Sequence, residues 1–127
     1  FGYELDITKM TDEELNEIKV QIEKYKEIRE IIHTGNMYRL MSPFEGNYTV
    51  WQYVSNDKKR IVVCYGTINS KPEQQIQKIR LEGLQPDKKY KCLEDEKVYS
   101  GDVLMNLGFS MKKQTDFSAK IIIFEMK

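Results

Sequence analysis

Between residues 10 and 35, apolar residues recur at intervals of three and four, which places them on one face of an α-helix. The members of this stripe are Leu15, Ile18, Ile22, Tyr25, Ile28 or Arg29, and Ile32. Thr11 and Glu14 have the spacing of a capping box that begins a helix, and His33 followed by Gly35 is typical of a helix end. The sequence therefore predicts one amphipathic helix, roughly 33 Å long, whose apolar stripe needs a partner surface.

After Gly35, apolar and polar residues alternate in short runs separated by turn residues, which is the period of β-strands. The predicted strands cover residues 37–41, 48–55, 59–68, 76–81, 89–92, 98–99 and 117–126. Residues 103–107 fit either a helical turn or a strand. Strands without intervening helices favour a mainly β fold, an antiparallel β-sandwich of Greek-key type preceded by one long N-terminal α-helix.

Composition indicates one globular domain, because the 127 residues are 40% hydrophobic and 31% charged. Twenty basic and twenty acidic residues cancel, so neither a nucleic acid nor a membrane is predicted as a partner. Basic clusters at residues 58–60, 88–91 and 112–113 fall at predicted turns. Secretion is unsupported and a cytoplasmic location is predicted, since no apolar run approaches the length of a membrane span and no leader is visible. The start at Phe1, within an alternating run, predicts a piece of a longer protein.

Metal, cofactor and catalytic chemistry are not predicted. Cys64 and Cys92 fall in strand-like runs and are expected to be buried free thiols in a reducing compartment. A disulfide between them is the alternative. Two Cys and one His make a zinc site improbable, and His33 is explained as a helix terminator. Four aspartates fall at turns, where Asp caps the local backbone: Asp57, Asp87, Asp95 and Asp102. No catalytic residue is therefore assigned.

Aromatic residues are the one enriched chemical group, and they allow two interpretations. They comprise Tyr38, Tyr48, Trp51, Tyr53, Tyr65, Tyr90 and Tyr99. In a small sandwich such residues are more often core. Exposed on a flat sheet, they could instead stack on sugar rings. A carbohydrate-binding module in which Trp51 and Tyr53 hold the sugar is the alternative function.

Short stretches across the chain carry a resemblance to a known family. They are Phe1, Gly2, Tyr3, Glu4, Leu5, Asp6; Tyr25, Lys26, Glu27, Ile28, Arg29; Tyr38, Arg39, Leu40; Ser42, Pro43, Phe44, Glu45; Leu81, Gly83, Leu84, Pro86, Tyr90; and Tyr99, Ser100, Gly101, Asp102, Leu104, Met105, Asn106, Gly108. With these residues in this order, the chain resembles the C-terminal end of the bacterial α-galactosidases (melibiases) of glycoside hydrolase family 36.

The resemblance implies a division of the chain into two parts. In that family a catalytic (β/α)8 barrel is followed by an antiparallel β-sandwich, so residues 1–33 would be the tail of the barrel with its last helix, and residues 34–127 the sandwich. The helix stripe would then pack on the barrel, although packing on the chain's own sheet is equally expected from the pattern alone. The family's two catalytic aspartates, which act in a retaining mechanism, lie in barrel motifs that this chain lacks.

The expected function is therefore that of a non-catalytic accessory domain, which packs on the barrel of an α-galactosidase and stabilises it. The resemblance implies a parent enzyme that hydrolyses terminal α-galactosides of the melibiose or raffinose type. Expected partners are that catalytic barrel, other subunits of a homo-oligomer and the parent's oligosaccharide substrate. An independent enzyme would need a pocket with paired acids, which the sequence does not show.

Overall fold

The computed structural model describes residues 4–68, 78–111 and 115–127. The chain divides into two compact units, Phe1–Glu30 and Ile31–Lys127. The expectations for residues 1–3, for the start of the predicted strand at Ile76, and for the basic cluster at 112–113 lie outside the described residues. No helix of the described part is long and apolar enough to cross a membrane.

The predicted long helix is confirmed as α1, Asp12–Thr34, which follows a 3-10 turn at Ile7–Lys9. Its capping box forms: the Glu14 carboxylate accepts the Thr11 N–H at 2.8 Å, and the Glu14 N–H donates to Thr11 Oγ1 at 3.3 Å. The choice left open in the stripe is resolved, because Ile28 is buried and Arg29 exposed. Ile31, which the predicted stripe omits, is also buried.

The described residues of the Ile31–Lys127 unit form eight strands and one short helix. They are β1 Asn36–Met41, β2 Tyr48–Val54, β3 Arg60–Thr67, β4 Lys78–Ile79, β5 Lys89–Cys92, β6 Val98–Ser100, α2 Gly101–Asn106, β7 Phe109–Ser110 and β8 Ser118–Met126. The ambiguous segment is helical, because Ser100 Oγ accepts the Val103 N–H at 3.2 Å and so caps α2. Strand β7 was not predicted.

The strands form two antiparallel sheets, one of six strands in the order β1-β2-β3-β8-β5-β6 and one pairing β4 with β7. The C-terminal strand β8 lies between β3 and β5, so it is a central strand of the larger sheet. Strand β1 is an edge strand, and its pairing with β2 shifts register between Arg39 and Met41. The mainly β, antiparallel sandwich class with one long N-terminal helix is confirmed.

The core of the Ile31–Lys127 unit lies on one face of the six-stranded sheet, where every second residue points inward. The core members are Val50, Val54, Ile61, Val63, Tyr65, Ile79, Leu81, Leu84, Tyr90, Cys92, Leu104, Phe109, Met111, Ile122 and Phe124. The short sheet, the segment at 81–84 and α2 contribute to this core. Strand β3 is also buried on its other face, at Val62 and Cys64, which explains its continuous apolar run.

Two buried polar side chains join the sheet to the loops of the core side. Gln52 is fully buried; its Nε2 donates to the Glu82 carbonyl at 2.5 Å and its Oε1 accepts the Glu82 N–H at 3.2 Å. The Tyr90 hydroxyl accepts the Gln85 N–H at 3.1 Å and donates to the Lys58 carbonyl at 3.2 Å. These bonds satisfy backbone groups that no ladder reaches.

We expect Tyr90→Phe to lower the free energy of unfolding by about 1–2 kcal/mol, because it leaves a part-buried amide and a carbonyl without their partner. Urea denaturation of the full chain measures the change. Tyr53→Phe, on the half-buried opposite side of the sheet, is the control and should change little. Equal stability of Tyr90→Phe and the unsubstituted chain would contradict the role given to this hydroxyl.

Candidate functional site

Five of the seven aromatic residues named in the sequence analysis belong to the core or pack against it. Tyr65 and Tyr90 are core members, and Tyr38, Tyr48 and Tyr99 pack against it. The rings are in contact: the centroids of Tyr48 and Tyr65 are 5.4 Å apart. Phe124, at the centre of the core, meets Tyr99 at 6.2 Å and Phe109 at 5.1 Å, both edge to face. For these five tyrosines, the interpretation as core residues is correct.

Trp51 and Tyr53 are different, because neither belongs to the core. They are two residues apart on β2 and point to the opposite face of the sheet from Val50, Gln52 and Val54. Trp51 pairs with Arg39 on β1, and Tyr53 with Met37. Both aromatic side chains are half-buried. The structure therefore brings the two predicted sugar-binding residues to one face, with their Cα atoms about 7 Å apart along the strand.

A surface cleft of about 470 Å³ lies between this face and the β1–β2 loop. We call it the Phe44 cleft; its principal lining residues are Met37, Arg39, Met41, Phe44, Glu45 and Trp51. Tyr53 does not line it, so the two aromatics do not share this cavity. The register shift in β1 and Pro43 end the strand pairing at this point.

The loop that closes the Phe44 cleft is held by Ser42. Its Oγ accepts the Phe44 N–H at 3.3 Å, and its carbonyl accepts the Glu45 N–H at 3.2 Å. The Phe44 side chain is 97% exposed. In the sequence, Phe44 lies between the predicted strands 37–41 and 48–55, and no functional role is predicted for it. The available signal is a large apolar residue directly after Pro in a turn, and this signal does not say whether the ring points inward or outward.

A second cavity, of about 560 Å³, lies between β5, β6, β7 and β8 and is lined by five charged side chains together with apolar ones. Four of these charges form two pairs: Lys120 Nζ is 3.3 Å from Glu94 Oε2, and Lys97 Nζ is 3.1 Å from Asp95 Oδ2. A carboxylate that is paired with an ammonium group is stabilised in its ionised form. Such an acid is poorly suited to donate a proton at neutral pH.

The four aspartates predicted at turns have local partners, and the predicted capping of the backbone is found at Asp57 and Asp95, whereas the partners given for Asp87 and Asp102 are side chains. Asp57 accepts from the Ser55 hydroxyl at 2.7 Å and the Lys59 N–H at 3.0 Å, and these bonds lower the pKa of its carboxyl. Burial opposes the change at Asp95, but bonds from Lys97 outweigh it and lower the Asp95 pKa. Asp87 pairs with Lys88 at 3.5 Å, and Asn106 donates to Asp102 at 2.7 Å.

The capping groups of the Phe1–Glu30 unit behave in the same way. Bonds from the Thr11 N–H and hydroxyl lower the pKa of Glu14, and bonds from Thr8 and Lys9 lower that of Asp6. In the described ranges, every carboxyl with a shifted pKa is therefore shifted downward. A general acid at neutral pH needs the opposite shift.

Both cysteines are free and buried, as predicted. Burial raises the pKa of the Cys64 thiol to about 11 and also raises that of Cys92. A protonated thiol is a poor nucleophile and a poor metal ligand. Across residues 4–68, 78–111 and 115–127, no three His, Cys, Asp or Glu side chains are grouped to hold a metal ion.

The lowered carboxyl pKa values predict acid sensitivity. A carboxyl whose folded-state pKa is depressed stabilises the fold above its unfolded pKa, and this stabilisation is lost as the pH falls through the folded value. For Asp57 the ordinary value is 3.8 and for Glu14 it is 4.5. We expect the thermal midpoint of the chain to fall between about pH 5 and about pH 3, as measured by circular dichroism. A midpoint that stays constant over that range would contradict the assignment.

Comparison with known proteins shows to which family this chain belongs. Residues 48–124 match the family model described as the glycosyl hydrolase family 36 C-terminal domain. The chain belongs to this family. The residues of the Phe44 cleft therefore lie partly before and partly within the matched region.

The relatives of this family 36 domain are α-galactosidases. The chain is 41% identical to α-galactosidase Mel36A of Lactobacillus acidophilus over 125 residues, 98% of this chain but 17% of the relative. It is 40% identical to α-galactosidase AgaA of Geobacillus stearothermophilus over 118 residues, 92% of this chain and 16% of the relative. This chain spans about a sixth of the length of the curated relatives it matches.

Solved structures of the family superpose over the whole chain. A variant of AgaA crystallised in complex with raffinose matches with a TM-score of 0.94 and 35% identity, covering 100% of this chain and 18% of that structure. The galactosidase domain of the α-galactosidase–sucrose kinase AgaSK matches with a TM-score of 0.95 and 31% identity, with the same coverage. The predicted membership of glycoside hydrolase family 36 is confirmed.

Proposed function

We propose that this chain is the non-catalytic C-terminal part of an α-galactosidase, and that it packs on the enzyme's catalytic barrel and stabilises it. In this proposal residues 1–33 are the tail of the barrel with its last helix, and residues 34–127 are the sandwich. One observation carries it: α-galactosidases match 98% of this chain while the chain covers only 17% of Mel36A. The greater part of such an enzyme thus lies outside these residues.

The local chemistry of the described residues supports a non-catalytic role. The carboxyls with shifted pKa values are held in the ionised state by hydrogen bonds within their own turns and caps. Retaining glycosidases need a carboxylic acid with a raised pKa and a second carboxylate about 5–5.5 Å from it. The side chains that the structure buries most completely serve the core instead.

The parent enzyme in this proposal is a cytoplasmic retaining hydrolase that removes terminal α-galactosyl groups from melibiose- or raffinose-type oligosaccharides. The raffinose bound to the AgaA variant supports this substrate class. The free, buried Cys64 and Cys92 are compatible with a reducing compartment. Assembly of the parent into a homo-oligomer is part of the same proposal.

A segment exchange tests this function. The C-terminal segment of AgaA that superposes on this chain is replaced by these 127 residues, giving an exchange enzyme, and hydrolysis of a nitrophenyl α-galactoside and of raffinose is assayed. We expect the exchange enzyme to hydrolyse both substrates and the purified chain alone to hydrolyse neither. If the purified chain alone hydrolyses either substrate, and this activity copurifies with the chain through several columns, the non-catalytic role is contradicted.

A carbohydrate-binding module is the second candidate, because Trp51 and Tyr53 lie on one face of the sheet, outside the core and partly accessible. Trp51 is the single tryptophan, so its fluorescence reports on that face. In a titration with galactose, melibiose and raffinose, a saturable change at millimolar sugar that Tyr53→Ala weakens would favour the module. A flat titration would favour the accessory role.

A further inference from the structure

Phe44 has the largest exposed fraction among the big apolar side chains of the described part of the chain, at 97%. The loop that carries this ring is held by two hydrogen bonds, which the Phe44 and Glu45 N–H groups donate to Ser42. An apolar ring exposed to water costs free energy, since the stabilisation that burial of its surface would give is forgone. The loop therefore presents the Phe44 ring outward, where a pocket on a partner can receive it.

The residues around Phe44 have the composition of a protein interface. The Phe44 cleft is lined by Met37, Met41, Arg39 and Trp51, the residue types enriched at interface cores. None of its lining residues is a lysine, one of the types depleted there, although the chain contains sixteen lysines; two residues of other depleted types, Ser42 and Glu45, do line it. Arg39 and Glu45 are exposed and supply charges of both signs to a polar rim.

We propose that the Phe44 cleft is the anchor through which the sandwich docks on the catalytic part of its parent enzyme, with the Phe44 ring inserted into an apolar pocket of that part. This inference rests on the proposed function. It adds the location of the contact and the residue that contributes most to it. Aromatic residues at the centre of an interface commonly contribute most of the binding energy.

The size of the parent enzyme makes its catalytic part the expected binding partner at the Phe44 cleft. The chain covers only 18% of the AgaA structure on which it superposes, so a partner several times larger is joined to it in such an enzyme. Strand β1 carries the backbone from Asn36 to the loop over six residues, about 20 Å. A barrel of about 250 residues has a radius of gyration of about 18 Å, so its surface can reach the cleft.

Paired variants separate docking from folding. Phe44→Ala is compared with Phe117→Ala, which removes the same side chain from another exposed site, 83% accessible. Each is made in the isolated chain and in the exchange enzyme. The readouts are the thermal midpoint of the isolated chain and the half-life of α-galactosidase activity of the exchange enzyme at a raised temperature.

We expect neither variant to change the midpoint of the isolated chain, because both rings are in water. In the exchange enzyme, Phe44→Ala should shorten the half-life about tenfold and Phe117→Ala should leave it unchanged. Equal half-lives for the two variants would overturn the docking proposal. If the unsubstituted exchange enzyme is itself no more durable than AgaA lacking the segment, the proposed function fails instead, which is a distinguishable result.

Hydroxyl-radical footprinting provides a second test that needs no substitution. The Phe44 ring should oxidise freely in the isolated chain and be protected several-fold in the exchange enzyme, whereas Phe117 should react equally in both. Unprotected Phe44 in an active exchange enzyme would overturn the proposal. If the isolated chain dimerises and Phe44→Ala abolishes the dimer, the cleft binds a second copy of the chain. If the isolated chain binds sugar saturably and Phe44→Ala abolishes the binding, the cleft binds a carbohydrate. Either result would overturn the docking proposal.

Discussion

Phe124→Ala is expected to lower the free energy of unfolding of the chain by about 3–5 kcal/mol. Phe124 is fully buried on β8, between β3 and β5, and its ring meets the rings of Tyr99 and Phe109. Truncation therefore removes apolar burial and leaves a cavity at a point where three strands and two aromatic neighbours converge. The surrounding sheet cannot collapse without breaking its ladder, so the larger part of the cavity should persist.

Urea denaturation followed by circular dichroism measures this effect. Phe44→Ala is the matched control, because it deletes the same atoms from a side chain that is 97% exposed. We expect its unfolding midpoint to equal that of the unsubstituted chain. A loss below about 1 kcal/mol for Phe124→Ala would show that the core is not centred on this ring.

Gly101→Ala is expected to cost about 3 kcal/mol, the second large effect. A Cβ at this position would collide with the carbonyl oxygen of Gln85 and lie 3.2 Å from the Pro86 Cα. The contact cannot be relieved by a side-chain rotation, since both partners are backbone. The Gly101 N–H donates to the Lys88 carbonyl at 2.8 Å, and the Asp102 N–H donates to the Pro86 carbonyl at 3.1 Å. The start of α2 and the 85–88 turn must therefore move apart.

The control for this substitution is Gly46→Ala, because an added Cβ there meets no atom within 4 Å. The same denaturation experiment compares the two. Gly101→Ala should shift the midpoint strongly downward, and Gly46→Ala should leave it within error. Equal midpoints for the two alanine variants would contradict the close approach of α2 to the turn.

Local signals were sufficient for the long elements of this fold. The 3–4 spacing and the Thr11–Glu14 box define α1, period-two alternation defines β2 and β8, and a nearly continuous apolar run defines β3. The features that the sequence does not predict are determined by tertiary contacts. Strand β7 is two residues long and exists only because Phe109 pairs with Ile79. The position of β8 between β3 and β5 joins segments far apart in sequence, which no local pattern encodes.

The candidate site, too, is only partly predictable from the sequence. Period two places Trp51 and Tyr53 on one face from sequence alone, but both faces of β2 carry apolar residues, so the pattern does not say which face holds the core. The exposure of Phe44 was beyond sequence reasoning, because a turn phenylalanine can fold inward or outward. Its outward position follows from the Ser42 hydrogen bonds and the end of pairing after Met41.

The thermal stability of the exchange enzyme tests the central claim most directly. The half-life of α-galactosidase activity at a raised temperature is compared for AgaA, for the exchange enzyme, and for AgaA lacking the segment that superposes on this chain. We expect the exchange enzyme to last at least about tenfold longer than the shortened enzyme, a difference equivalent to about 1.4 kcal/mol in the barrier to inactivation. A shortened enzyme as active and as durable as AgaA would contradict a stabilising role for this domain.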